Sequence, residues 1–154
     1  MRYILSLRKL KIILTVKKKD IKILLVDDEP DILEIVGYNL SSEGYQVITG
    51  ENGVEAIEKA KKHKPHLIIL DVVMPEMDGI EACERIRQDS KLNNTIITFL
   101  TARGEDYSQV AGFDAGADDY ITKPIKPKVL VSKVKALLRR LKDTDNPNES
   151  IKIG

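Results

Sequence analysis

Residues 68–79 read IILDVVMPEMDG, and in this stretch the run of three large apolar residues ends at an aspartate, Asp71. A short apolar, β-branched run is typical of a strand that is buried in a parallel sheet. A charge without a partner is expensive to remove from water. We therefore expect Asp71 to lie at the edge of a sheet, where its carboxylate faces cations and the apolar residues behind it hold it in place.

A short apolar run followed by an amphipathic segment occurs five times between residues 20 and 141. The predicted strands cover residues 21–26, 45–49, 67–70, 95–100 and 119–122. The predicted helices begin near Pro30, Asn52, Asp78, Ser108 and Pro127, with Gly44 and Gly116 as stops. This alternation predicts an α/β fold with a flavodoxin-like, doubly wound five-stranded parallel sheet, order 2-1-3-4-5, and helices on both faces.

Apolar residues at helical spacing are expected to face the sheet. These are Ile32, Leu33, Ile35, Val36 and Leu40, then Val54, Ala56, Ile57 and Ala60, then Ile80, Cys83 and Ile86, and finally Val129, Leu130, Val134, Leu137, Leu138 and Leu141. Cys83, the single cysteine, is expected to be a small core residue rather than a reactive thiol.

Length and composition indicate one globular domain with short additions. The chain has 154 residues, is 42% hydrophobic and 32% charged, and carries a net charge of +1, which gives no global basic field for nucleic acid. One cysteine excludes a disulfide framework and fits a cytoplasmic protein, and no run reaches the roughly 18 apolar residues of a membrane span. We expect residues 1–19 to be an N-terminal extension (or an added edge strand), 20–141 to be the domain, and 142–154 to be a flexible polar linker or tail.

The residues at the carboxyl ends of the predicted strands should form the site, because ligands of open α/β sheets bind there. Strand one is followed by Asp27 and Asp28, strand three by Asp71, strand four by Thr101 and Ala102, and strand five by Lys123 and Pro124. Three neighbouring carboxylates need cations. Lys123 supplies one positive charge and a divalent metal would supply two. Oxygen-only ligands favour Mg²⁺, with Mn²⁺ as an alternative.

A metal-bound carboxylate beside a lysine suits attack on phosphorus, because phosphoryl transfer needs an in-line nucleophile and positive charge around the phosphoryl oxygens. The hydroxyl of Thr101 can donate to such an oxygen, and the small side chain of Ala102 leaves space beside it. The expected product is an aspartyl phosphate.

Four motifs at successive strand ends make the chain resemble the receiver domain of two-component response regulators, the CheY-like family. They are LLVDDEP (24–30), IILDVVMPEMDG (68–79), FLTA (99–102) and GADDYITKP (116–124). The resemblance covers about residues 20–141. It implies a phosphoprotein of signal transduction rather than an enzyme, with magnesium-dependent self-phosphorylation and slow autodephosphorylation as its only reactions.

The resemblance also implies a role for each site residue. Asp71 resembles the phosphoacceptor for a partner histidine kinase. Asp28, Asp71 and the backbone carbonyl of Val73 resemble direct magnesium ligands, and Asp27 resembles one that acts through water. The implied switch residues are Thr101 and Tyr120, the phosphoryl-binding residues are Ala102 and Lys123, and the Lys123–Pro124 peptide bond is expected to be cis. Val73 and Arg103 occupy the positions that influence the phosphoryl lifetime in the family.

GADDYITKP followed by a basic helix ending in LLRR resembles receivers of winged-helix transcription factors. That resemblance implies a homodimer on phosphorylation through the face made by helix 4, strand 5 and helix 5. Its charged pairs would draw on Asp118, Asp119, Lys133 and Arg140, but Gln109 and Val129 replace one usual ion pair and Lys133 replaces an arginine, which weakens the expected dimer. The last residues, IKIG (151–154), resemble the start of an effector domain, so DNA binding would come only through a domain outside this chain.

Other interpretations of the same residues stay open. Asp27 and Asp28 alone fit a helix cap beside Pro30, and the two histidines, His63 and His66, fit surface or strand-flanking positions. A stand-alone receiver that acts by protein–protein contact is possible. A flavodoxin-like FMN carrier would need a Ser/Thr/Gly-rich loop where the chain has DDEPD, and an aspartate-nucleophile phosphatase would carry its nucleophile after the first strand.

Overall fold

The computed structural model describes residues 17–102 and 111–153, with side chains as far as residue 141. Its sheet has five parallel strands in the order β2-β1-β3-β4-β5, which confirms the predicted fold and strand order. The strands are β1 Lys22–Val26, β2 Gln46–Gly50, β3 Leu67–Asp71, β4 Ile96–Ala102 and β5 Asp119–Lys123. All five lie within one or two residues of the predicted ranges.

Helices cover both faces of the sheet. They are α1 Pro30–Ser42, α2 Gly53–His63, α3 Gly79–Arg87, α4 with described residues 111–114, and α5 Pro127–Ile153. Short 3-10 turns occupy Lys18–Asp20 and Ser90–Leu92.

Neighbouring strand residues face opposite layers, as the alternation of side chains in a strand requires. In β1, Ile23 and Leu25 belong to the cluster that packs on α1 and α5, whereas Leu24 and Val26 belong to the cluster on α2 and α3. The central strand β3 is buried along its whole length, so its last residue, Asp71, is held by core on both sides.

Capping residues set the helix starts that the sequence predicted. The side chain of Asn52 accepts a hydrogen bond from the Glu55 amide at 2.9 Å, and Asp78 accepts one from Glu81 at 2.8 Å. Gly44 and Gly116 have φ values of +104° and +106°, a region that favours glycine, which explains why the chain turns after α1 and α4 at these residues.

Most predicted core positions of the helices are buried or packed against the core, but three are wrong. Ile35, Val54 and Val129 were expected to face the sheet and are exposed. Each lies beside a buried residue, and one step along a helix turns the side chain by about 100°, so the buried stripe is narrower than the apolar pattern. Cys83 is fully buried, as predicted, and burial raises the pKa of its thiol to about 11.

The helix α5 continues to Ile153, whereas the polar composition predicted a flexible tail from residue 142. Once a helix is nucleated by packing, each further residue other than proline adds one backbone hydrogen bond, so polar residues can extend it, although Pro147 supplies no donor. Residues 1–16, Arg103 and Gln109 lie outside the described residues, as does the start of the fourth predicted helix. Within the described segments, the helices are all too short or too polar to cross a membrane.

Candidate functional site

Three aspartates meet at the carboxyl edge of the sheet. Asp27 directly follows β1, Asp28 is next, and Asp71 is the last residue of the neighbouring strand β3. Each offers an oxygen atom that lies within 4.8 Å of those of the other two. Asp27 and Asp71 are buried and Asp28 is exposed, so the cluster has a protected base and an open side.

Lys123, the last residue of β5, reaches across β4 into this cluster. Its ammonium lies 3.2 Å from Asp27 Oδ2 and 3.6 Å from Asp71 Oδ1. The Lys123–Pro124 peptide bond is cis, as the resemblance implied. One ammonium faces three clustered carboxylates, which leaves two negative charges without a counterion among these residues.

The donor set fits a hard divalent cation. Asp27 Oδ2 is buried, and its partner among the described residues is the Lys123 ammonium at 3.2 Å. That ammonium also faces Asp71, so one cation serves two buried carboxylates and further positive charge would stabilise them. Carboxylate oxygens around an open side are the ligands that Mg²⁺ and Mn²⁺ take.

The electrostatics of Asp71 reflect this crowding. Burial, and then the charge of Asp27, raise the pKa of Asp71 from 3.8 to about 7, although Lys123 opposes the shift. Burial lowers the pKa of Lys123, but the carboxylates of Asp71 and Asp27 outweigh it and leave that pKa raised. The acid is therefore easily protonated near neutral pH unless more positive charge arrives, and the lysine stays charged.

Close backbone contacts hold Asp71 and the loop after it. Asp71 Oδ1 accepts a 3.3 Å hydrogen bond from the Val73 amide, and the Gly79 amide donates to the Val72 carbonyl at 2.8 Å. A Cβ atom at Gly79 would lie 2.1 Å from the Asp71 carbonyl oxygen, so only glycine allows this approach. The Val73 side chain points outward and is 64% exposed.

The two predicted switch residues lie on neighbouring strands. Thr101 is buried in β4, and its hydroxyl lies 3.4 Å from the carbonyl of Ala102, which is exposed. Tyr120 on β5 is half-buried and packs edge-on against Phe113 of α4, with ring centroids 5.8 Å apart.

The helix-cap interpretation of Asp27 is only partly right. Asp27 Oδ1 accepts a 2.9 Å hydrogen bond from the Glu29 amide, but Glu29 itself is the residue at the N-cap of α1. His66 is strand-flanking as expected: its Nδ1 accepts a 3.0 Å hydrogen bond from the Lys22 amide, and burial lowers its pKa.

Sequence reasoning missed three contacts around the site and the adjoining β5. Glu29 Oε1 lies 3.8 Å from the Lys123 ammonium. Two acids assigned to an intermolecular face have partners within the chain, because Asp118 pairs with Arg87 at 2.9 Å and Asp119 with Lys133 at 3.6 Å. Of these three contacts, only that of Glu29 had a signal in the sequence. Glu29 stands at a helix cap, where Asp, Asn, Ser or Thr is favoured.

Comparison with known proteins agrees with this geometry. The family described as "response regulator receiver domain" matches residues 23–135. The alkaline phosphatase synthesis transcriptional regulatory protein PhoP of Bacillus subtilis is 50% identical over 77% of this chain and 49% of its own length. ResD, a transcriptional regulatory protein of the same organism, is 48% identical over 80% of this chain and 50% of its own length. The chain thus spans about half the length of these relatives.

Solved structures agree as well. A response regulator from Chloroflexus aurantiacus superposes with a TM-score of 0.73 at 38% identity, covering 77% of this chain and 97% of that one. The chemotaxis response regulator CheY4 of Vibrio cholerae gives a TM-score of 0.73 at 34% identity, covering 76% and 98%. These matches favour a receiver over the FMN carrier and the phosphatase. The chain belongs to the response regulator receiver domain family.

Proposed function

We propose that this receiver takes a phosphoryl group on Asp71 from a histidine kinase, in a magnesium-dependent reaction. The observation that carries the proposal is the meeting of three aspartate oxygens within 4.8 Å with the Lys123 ammonium 3.6 Å from Asp71. Receiver domains of response regulators interact with histidine kinases, which supports this class of donor.

Asp28, Asp71 and the Val73 carbonyl are proposed to hold Mg²⁺ directly, and Asp27 through water; Mn²⁺ suits the same oxygens. When bound, the ion supplies the positive charge that keeps Asp71 ionised and offsets the phosphoryl oxygens. Lys123 supplies the remaining charge. Its ammonium is already held between Asp27 and Asp71, so it needs little rearrangement to meet an incoming oxygen.

In the proposed transfer, a carboxylate oxygen of Asp71 forms a bond to phosphorus while the bond from phosphorus to the donor histidine nitrogen breaks. The nitrogen keeps the electron pair of the broken bond. The buried walls on both sides of Asp71 keep the nucleophile oriented. The chain is thus the acceptor of one phosphoryl group and not an enzyme that turns over a separate substrate.

Thr101 and Tyr120 are proposed to carry the change from the site to the surface. Thr101 ends the buried part of β4 next to exposed Ala102, so its hydroxyl can donate to a phosphoryl oxygen beside that small side chain. Tyr120 contacts Phe113 of α4, and so a movement of the tyrosine ring would change the surface made by α4, β5 and α5.

Phosphorylation is proposed to form a homodimer through this α4–β5–α5 face. Exposed Phe113 and Val129 lie on it and supply apolar surface. Its charged residues contribute less than the sequence suggested, because Asp118 and Asp119 already pair with Arg87 and Lys133 of their own chain. The relatives are transcriptional regulators, and this chain matches only about half of the length of each. Control of transcription through a DNA-binding effector domain is therefore the proposed output.

The test is incubation with Mg²⁺ and a small acyl phosphate, followed by intact-mass analysis. We expect one added phosphoryl group, absent in Asp71→Ala and without Mg²⁺. Asp114→Ala, which removes an exposed aspartate outside the cluster, is the matched control and should be modified normally. Modification of Asp71→Ala to the wild-type extent would refute the assignment, and turnover of general phosphomonoesters would favour a phosphatase.

The dimer has its own test, which is the mass in solution before and after phosphorylation. We expect the phosphorylated wild type to dimerise and Val129→Glu to remain monomeric while still accepting the phosphoryl group. Val54→Glu changes an exposed valine on α2 and should dimerise like the wild type. If the phosphorylated wild type stays monomeric at all concentrations, the proposed dimer is refuted.

A further inference from the structure

Glu29 occupies the N-cap position of α1 without capping the helix through its side chain, and glutamate is not among the favoured capping residues. Its carboxylate instead lies 3.8 Å from the Lys123 ammonium, with a side chain that is 61% exposed. Glu29 is therefore a fourth acid of the site, at its mouth.

The charges of the site do not balance when Glu29 is included. Asp27, Asp28, Asp71 and Glu29 carry four negative charges, and Lys123 carries one positive charge. A divalent ion adds two, so one negative charge remains. Because Asp27 and Asp71 are buried and Glu29 is exposed, an approaching donor meets the charge of Glu29 at the entrance.

We propose that Glu29 is a specificity-determining residue that selects among phosphodonors by charge and slows transfer from small, free, multiply charged anions. The inference rests on the proposed phosphorylation of Asp71. A fixed charge at the rim of a cleft changes the local concentration of a charged reactant, and the effect grows with the charge of that reactant. A donor with two negative charges should thus be disfavoured more than a donor with one.

The experiment compares two small donors in the full chain and in Glu29→Gln, which keeps the shape and removes the charge. With acetyl phosphate, a dianion near neutral pH, the bond from phosphorus to the acyl oxygen breaks and acetate leaves with the electron pair. With phosphoramidate, a monoanion protonated on nitrogen, the phosphorus–nitrogen bond breaks and ammonia leaves. In both, the new bond joins phosphorus to an Asp71 oxygen. Rates are followed by intact mass at magnesium concentrations that saturate each variant.

We expect Glu29→Gln to accelerate phosphoryl transfer from the dianionic donor by roughly five- to tenfold and transfer from the monoanionic donor by about two- to threefold. The second factor is close to the square root of the first, because the interaction energy scales with donor charge. Both factors should shrink toward one at about 1 M salt, where the Debye length is about 3 Å. Glu58→Gln, which removes the same charge from the exposed side of α2, should leave both rates unchanged.

Equal rates of Glu29→Gln and wild type with both donors would overturn this inference while leaving the proposed function intact. The inference would also be overturned if Glu29→Gln accelerated transfer from both donors by the same factor, because that points to a structural role. A change in the magnesium requirement alone would overturn it too, because that points to a role in metal binding. If the wild type accepts no phosphoryl group from either donor or from a kinase, the proposed function itself fails.

Discussion

The ammonium of Lys133 donates a 2.8 Å hydrogen bond to the backbone carbonyl of Tyr120, which joins α5 to β5 beside the site. The same ammonium lies 3.6 Å from Asp119 Oδ1 and 5.6 Å from the centre of the Tyr120 ring. A lysine that the sequence pointed toward a second protomer is thus engaged inside its own chain. It restrains the strand that carries both Tyr120 and Lys123.

Replacing this lysine should loosen the strand. We expect Lys133→Met to lower the free energy of unfolding by about 1–2 kcal/mol, since a half-buried carbonyl loses a charged donor. Urea denaturation is the measurement, and Lys128→Met, at an exposed lysine in the first turn of α5, is the control with an expected change below about 0.5 kcal/mol. Equal effects of the two substitutions would show that the contact contributes nothing.

Arg87 ties the opposite end of the sheet together. Its guanidinium donates to the carbonyls of Leu92, Thr95 and Gly116 at 2.7–3.1 Å and pairs with Asp118 at 2.9 Å. Lysine cannot reproduce this fork of donors, so we expect Arg87→Lys to lower the free energy of unfolding by on the order of 2–3 kcal/mol.

The matched control for Arg87→Lys is Arg85→Lys on the same helix. Arg85 is exposed and pairs with Glu81 at 3.7 Å, so its replacement should cost less than about 0.5 kcal/mol. Chemical denaturation with both variants decides the point, and a loss of less than about 1 kcal/mol for Arg87→Lys would contradict the prediction.

Two glycines should respond to alanine in opposite directions. A Cβ at Gly79 would meet the Asp71 carbonyl at 2.1 Å, so Gly79→Ala should move the loop, destabilise the fold and weaken magnesium binding. At Gly37 in α1 no atom lies within 4 Å of such a Cβ, and Gly37→Ala should stabilise by about 0.5–1 kcal/mol. Scanning calorimetry measures the stability of both variants, and a magnesium titration measures the affinity of Gly79→Ala. An unchanged magnesium affinity in Gly79→Ala would contradict the prediction.

The raised pKa of Asp71 makes stability depend on pH in the absence of metal. In the unfolded chain the carboxyl loses its proton near 3.8, whereas the folded protein holds it until about 7. Folding takes up a proton in this window, so the contribution of Asp71 to stability falls as the pH rises through it and stays low above it. Asparagine carries no such charge.

We therefore expect metal-free Asp71→Asn to exceed the wild type in free energy of unfolding at pH 8 by on the order of 2 kcal/mol, after allowance for solvent screening at the open side. The difference should close toward pH 4. Adding Mg²⁺ at pH 8 should stabilise the wild type more than the variant. Thermal denaturation of both proteins in EDTA across this pH range is the measurement. If the difference in free energy of unfolding between the variant and the wild type does not change with pH, the raised pKa of Asp71 is refuted.

Val73 is predicted to lengthen the life of the phosphoryl group. Its side chain is exposed beside Asp71, where an apolar group hinders water that a polar group would recruit. Val73→Asn should shorten the lifetime by roughly threefold or more, measured as loss of added mass after the donor is removed. Equal hydrolysis rates in the variant and the parent would contradict the hypothesis.

The strands, their order and the residues at the strand ends could all be predicted from the pattern along the chain. Both strand periodicity and helix caps are local, since they depend on residues a few positions apart, as with Asn52 and Glu55. The position of Asp71 at the end of an apolar run was sufficient to place it at the carboxyl edge of the sheet.

Contacts between side chains that are distant in the sequence could not be predicted in this way. The contacts of Lys123 with Glu29 and of Lys133 with Tyr120 depend on how far each helix is turned and how far a long side chain reaches across a strand. The same rotation exposes Val129 and buries Leu130, although both are apolar neighbours. A pattern along the chain states which residues are apolar, but only the packed helices define the width of the stripe that water cannot reach.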